Sequence, residues 1–140
     1  MKLAIAGAGG RMGQAVTEAI LADPELELVA ALEMDGSAAI GRPVGKLKIG
    51  SDPAVLSRAD VLIDFTRPDG TLTHLRHAKA MVIGTTGFSD AQRKSIAEAA
   101  KRMPIVMAAN FAVGVNAAYR LAETAAQILG DAYDVEIVEA

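Results

Sequence analysis

Gly7-Ala8-Gly9-Gly10-Arg11-Met12-Gly13 decides the reading of this 140-residue chain through what stands on either side of it. Before it runs Leu3-Ala4-Ile5-Ala6, a short apolar segment expected to form a buried parallel strand. After it, Val16, Ala19 and Ile20 recur at helical spacing as far as Asp23-Pro24. A glycine-rich turn between strand and helix lets backbone approach a diphosphate, and the helix N-terminus supplies free N–H groups and a partial positive charge. Glu33 follows Gly13 by 20 residues, at the end of a second apolar run from Leu26 to Leu32. A dinucleotide fold places there the carboxylate that accepts the ribose hydroxyls.

The spacing departs from the standard one. G-x-G-x-x-G starting at Gly7 needs glycine at position 12, which is Met12; the chain instead has Gly7, Gly10 and Gly13, with Gly9 as an extra. Alone, such a cluster reads equally as a tight turn. Arg11 adds a hint: a cation in the first helical turn opposes the macrodipole, at about 0.3–1 kcal/mol, and a bound phosphate removes that penalty. A solvated arginine pointing away is the alternative.

The length suffices for one domain with a real core. A hydrophobic fraction of 51% against 22% charged residues excludes a disordered chain. Net charge −3 argues against general affinity for nucleic acid or anionic membrane. The absence of cysteine excludes disulfides and thiolate metal sites and suits a reducing compartment. No apolar run is long enough to cross a bilayer, and the four apolar residues before Gly7 are too few for a signal peptide. The expectation is a cytoplasmic protein.

Strand and helix patterns alternate, as in a doubly wound, Rossmann-like α/β parallel sheet with helices on both faces. The 35–53 segment reads as a loop or small flap. Strands are expected at 61–63, 81–83 and 105–108. Pro68 opens a helix with Leu72, Leu75 and Ala78 on its apolar face, and Ser89 caps another to about Arg102 with Ile96, Ala99 and Ala100 inward. A helix at 115–129 ends at Gly130, and 133–140 reads as one more strand. We divide the chain into a dinucleotide-binding domain, 1–112, and a connecting helix and strand, 113–140, that open a second domain.

Ligands of open parallel sheets bind beyond the carboxyl ends of the strands. Those ends carry Gly7–Gly13, Glu33, Asp64–Arg67, Gly84–Gly87 and Ala108–Phe111. Gly84-Thr85-Thr86-Gly87 brings backbone close while two hydroxyls supply donors and acceptors, or is a plain turn with a threonine cap. Asn110 is a candidate for the carboxamide and Phe111 for a wall beside the ring, with a turn Asn and a core Phe as alternatives. His74 and His77 are three apart without a third ligand, so they are expected at the surface and no metal site is assigned. Asp64 reads as an acid, a base or a turn former. No catalytic set emerges.

Four motifs in order resemble the dihydrodipicolinate reductase family: Ile5–Gly13, Ile63–Pro68, Val82–Phe88 and Ala109–Asn116. The resemblance implies hydride transfer from NADH or NADPH to a cyclic dicarboxylic imine-type substrate, 4-hydroxy-tetrahydrodipicolinate, in lysine and diaminopimelate synthesis. It implies that Gly7, Ala8, Gly9, Gly10, Arg11 and Met12 hold the diphosphate and Glu33 the adenosine ribose. Gly84, Thr85 and Thr86 with Ala108, Ala109, Asn110 and Phe111 would hold the nicotinamide end, Thr86 also lying near substrate.

Many members follow the ribose-binding Glu with Arg, which can meet a 2′-phosphate. Here Met34 stands in that place, so NADH is favoured. In the family a His-rich catalytic motif with a Lys, and a second domain that binds substrate and builds a homotetramer, follow the strand like 135–140. None of that lies in these 140 residues, so the chain alone is expected to bind dinucleotide without turnover. Homoserine or aspartate dehydrogenase accounts less well for Phe65–Pro68 together with Gly84–Phe88. A non-catalytic NAD-binding sensor module is the alternative from another class.

Overall fold

The computed structural model describes residues 1–136 and Val138. The chain divides into two compact units, Met1–Ala109 and a second from Asn110 onward.

In the first unit, β1 (Lys2–Ala6), β2 (Glu27–Leu32), β5 (Val61–Asp64), β6 (Met81–Ile83) and β7 (Ile105–Met107) form one parallel sheet in the order β2-β1-β5-β6-β7. The helices between them are α1 (Arg11–Ala22), α2 (Pro68–His74) and α3 (Asp90–Ala100), with a 3₁₀ helix at Pro53–Arg58. The strands are short apolar runs because both faces of the sheet are covered. Ala4, Ala6, Leu32, Leu62 and Ile83 pack with Leu56 and Ile96, and Leu72, Leu75 and Ala78 of the α2 region join them. Ile5, Ala8 and Ala31 pack on the other face with Val16 of α1, Ala39 and Ile49.

The flap is more ordered than its composition suggested. Its short strands β3 (Pro43–Val44) and β4 (Leu47–Lys48) pair antiparallel, and Ala39 and Ile49 on either side of the hairpin are buried. Gly50 bridges Leu32 in parallel, continuing the sheet past β2. Pro68 stands at the first position of α2, where its missing N–H costs nothing. Ser89 caps α3 with a full capping box: its Oγ accepts from Gln92 N–H and the Gln92 side chain accepts from Ser89 N–H. Ile96 and Ala99 face the core as expected, but Ala100 is exposed, because the stripe of this short helix turns away at its last residue.

The second unit holds α4 (Val113–Leu129), ended by Gly130 at φ 67°, and a 3₁₀ turn at Gly130–Ala132. The strand expected over 133–140 does not form at Tyr133–Glu136, which have no ladder partner among the described residues. Ile137, Glu139 and Ala140 of that stretch lie outside the described residues.

Candidate functional site

From β1 the chain turns to one side of the sheet, to β2, and from β5 to the other, to β6. The carboxyl ends of β1 and β5 are therefore the topological switch point where an open sheet leaves a crevice. The register pairs Ala6 with Asp64 and Asp64 with Ile83, so the loops after β1, β5 and β6 emerge level with one another. Between them lies a cleft of about 330 Å³ lined by Gly10, Arg11, Met12, Gly13, Phe65, Thr66, Arg67, Pro68, Gly84, Thr85 and Thr86.

Each N–H of the glycine loop can be assigned. Gly7 and Ala8 both donate to Leu32 O, at 2.9 and 3.0 Å, which ties the loop to the end of β2. Gly9 N–H donates to Glu33 Oε1 at 2.8 Å, and Gly10 N–H to Gly7 O at 3.0 Å. The first intrahelical bond of α1 runs from Gln14 N–H to Gly10 O. Arg11, Met12 and Gly13 then have N–H groups with no acceptor among the described residues, at the positive end of a 12-residue helix and on the wall of the cleft. No acidic side chain stands in that first turn. Three free donors without a competing carboxylate make an anion cradle.

Gly13 brings the cradle against the sheet. Its Cα faces the Gly7 carbonyl, and a Cβ there would sit 2.7 Å from Gly7 C and 2.8 Å from Ala8 Cα. Gly7 itself turns at φ 81°. A dinucleotide diphosphate therefore fits the residues present: donors, helix end and open backbone meet at one place.

Glu33 is half-buried just past β2. One carboxylate oxygen is held by Gly9 and the other accepts weakly from Met34 N–H at 3.3 Å. Met34 is exposed. On the far side of the cleft, Thr85 is buried and its hydroxyl donates to Asp64 Oδ1 at 3.1 Å. The two threonines of the Gly84–Gly87 turn therefore do not both offer hydroxyls to a ligand, as the sequence suggested: Thr85 faces inward and Thr86 is exposed. Gly84 lies against the Phe65 ring, where a Cβ would overlap it.

Asp64 is neither a surface turn residue nor open to a ligand. It is fully buried and collects Thr66 N–H, the hydroxyls of Thr66, Thr71 and Thr85, and Nδ1 of His74. His74 corrects the expectation of two surface histidines: its side chain is 12% exposed and lies 2.8 Å from Asp64 Oδ2.

The cleft brings together Gly10, Arg11, Met12, Gly84, Thr85 and Thr86 of the expected residues, while Gly7, Ala8, Gly9 and Glu33 shape the loop from behind. Ala108 and Ala109 follow β7 and do not line it, and Asn110 and Phe111 belong to the second unit. Gly13 and Phe65–Pro68 join the lining. Their signal was present, since a loop after the strand beside β1 has to face the glycine turn.

The family model described as dihydrodipicolinate reductase, N-terminus, matches residues 1–111. Over its full length the chain is 51% identical to 4-hydroxy-tetrahydrodipicolinate reductases of Cupriavidus metallidurans and Aromatoleum aromaticum, of which it covers 57% and 55%. It thus spans little more than half the length of these relatives. A dipicolinate-bound dihydrodipicolinate reductase from Paenisporosarcina superposes with a TM-score of 0.75 at 27% identity, over 90% of this chain and 53% of that one.

Proposed function

Because the chain belongs to the dihydrodipicolinate reductase family and matches its N-terminal part, we propose that it is the coenzyme-binding portion of an NAD(P)H-dependent 4-hydroxy-tetrahydrodipicolinate reductase of lysine and diaminopimelate synthesis. The observation that carries this reading is the trio of free N–H groups on Arg11, Met12 and Gly13, opening onto the cleft between β1 and β5. These donors would hold the diphosphate, with the exposed Arg11 beside them as a countercharge. Glu33, oriented by Gly9, would accept from the adenosine ribose. The Thr66 and Thr85-Thr86 turns would border the nicotinamide end, with Ala108–Phe111 assigned there by family resemblance. The bound coenzyme supplies the hydride; this chain's residues supply anchoring and orientation.

NADH is the favoured form. A 2′-phosphate would meet the Glu33 carboxylate, and Met34 offers it no charge. The active protein is expected in the cytoplasm and as a homotetramer, and these residues alone are expected to bind without turnover.

Calorimetric titration with NADH and NADPH tests the proposal. We expect saturable 1:1 binding, tighter for NADH. A folded sample that binds neither refutes the coenzyme reading, and one that clearly prefers NADPH refutes the preference.

A further inference from the structure

We propose that the buried Asp64–His74 pair is a positioning device for the nicotinamide end of the cleft, holding the loops after β5 and β6 in one fixed relation. This rests on the coenzyme reading above.

The argument starts from the acceptors of Asp64. A carboxylate donates nothing, so each buried oxygen needs donors from elsewhere. Oδ1 has four: Thr66 N–H at 3.0 Å and the hydroxyls of Thr66, Thr85 and Thr71 at 2.6, 3.1 and 3.3 Å. Oδ2 has one partner among the described residues, His74 Nδ1 at 2.8 Å. Thr85 Oγ1 also accepts from Thr66 N–H at 2.9 Å, so the two loops are bonded directly as well as through the carboxylate.

The donors come from three places. Thr66 follows β5, Thr85 follows β6, and Thr71 and His74 lie on α2. Thr66 and Thr85 line the cleft, whereas Thr71 and His74 do not. Asp64 therefore couples two cleft loops to a helix behind them, and His74 sets which way the carboxylate plane faces. With Oδ2 fixed toward α2, Oδ1 is left pointing at both threonine loops. Without His74, Oδ2 would be a buried charged atom with no partner, and the carboxylate would rotate or draw in water. Either response would release Thr66 and Thr85 from their shared acceptor. The glycine-loop cradle shares no hydrogen bond with these groups among the described residues; it meets them only where Gly7 packs beside Phe65 and the Thr66 methyl.

That separation supplies the test. ADP-ribose carries the diphosphate and adenosine ribose but lacks the nicotinamide, so it reports on the cradle alone. Calorimetry with NADH and ADP-ribose is run on the unaltered protein and on His74→Leu and His74→Asn. Loss of one charged hydrogen bond should weaken NADH about tenfold in His74→Leu and leave ADP-ribose within about twofold. His74→Asn places an amide N–H near the position of Nδ1 and should restore most of the difference. Should the leucine variant fail to fold, His74→Gln takes its place, since its longer side chain carries the amide past Nδ1; the same split is expected.

A two-bond ¹H–¹⁵N spectrum of the unaltered protein should show the His74 proton on Nδ1 when the ring is neutral. Equal weakening of both ligands, no weakening of either, or a neutral ring protonated only at Nε2 overturns the proposal. An unaltered protein that binds neither ligand overturns the coenzyme reading itself, and the inference falls with it.

Discussion

Gly13→Ala sets helix propensity against packing at one atom. Alanine within a helix is favoured over glycine by about 1 kcal/mol, so propensity alone predicts a more stable protein. The new Cβ would instead press on the Gly7 carbonyl, lying 2.7 Å from its carbon and 2.8 Å from Ala8 Cα, where ordinary contact begins at 3.4 Å. These two distances alone require the first turn of α1 to retreat from the glycine loop by roughly 0.6–0.7 Å, and the Gly7 carbonyl oxygen, nearer still, requires more. Both obstacles are backbone, and the loop is pinned to Leu32 O through Gly7 and Ala8, so no flexible group can give way. Overpacking of this kind costs about 1–3 kcal/mol, with the rigid case at the upper end. The net loss should be about 1–2 kcal/mol, a fall in Tm of roughly 4–9 °C for a domain of this size. Displacing three N–H donors together should also weaken NADH at least about tenfold. Thermal unfolding and calorimetry read the two effects. Gly10→Ala is the control, since its Cβ meets only Gly7 O at 3.3 Å and should cost little. An unchanged or raised Tm for Gly13→Ala would refute the close-approach argument.

Other outcomes follow from the same contacts. Met34→Arg adds a cation beside Glu33, at an exposed position, and should tighten NADPH about tenfold while barely altering NADH; equal effects on both would count against the 2′-phosphate argument. Ser89→Ala removes the capping box of α3 and should cost about 1 kcal/mol, read as a lower urea midpoint at constant slope. Thr17 is buried in α1 with a hydroxyl that has no partner among the described residues, so Thr17→Val should be neutral or stabilising by up to about 1 kcal/mol; a clear loss in thermal unfolding would mean that the hydroxyl is satisfied in solution.

The sheet and its order of elements were legible because parallel strands buried on both faces appear as unbroken apolar runs. Leu3–Ala6, Val61–Ile63 and Met81–Ile83 each stop at a polar or glycine residue, and the loops that begin at those stops border the cleft. Capping chemistry is as local, so Ser89 and Pro68 read correctly. What stayed hidden depended on partners distant in sequence. Asp64 and Thr85 are 21 residues apart, and nothing in either motif says that the hydroxyl turns inward to a carboxylate. His74 read as a surface residue because the sequence offers it no third metal ligand; the carboxylate that holds it in belongs to the neighbouring strand. The two short strands of the flap were not foreseen for a related reason. Its glycine and serine content describes the turns, while its order comes from Ala39 and Ile49 packing beneath α1 and β2.

The irregular glycine spacing follows from the same hydrogen bonds. In the standard motif the third glycine permits close approach of helix and strand, five residues after the first. Here Gly13 performs that task six residues after Gly7. The extra residue is accommodated behind the cradle, where Ala8 and Gly9 spend their N–H groups on Leu32 O and Glu33 rather than on a ligand. Lengthening the turn therefore removes no donor from the helix end. It adds a direct bond between the loop and the carboxylate after β2, joining the proposed diphosphate and ribose subsites. Met12, which occupies the position where the standard pattern needs glycine, is free to carry a side chain because it sits one step around the helix from the contact, half exposed over the cleft.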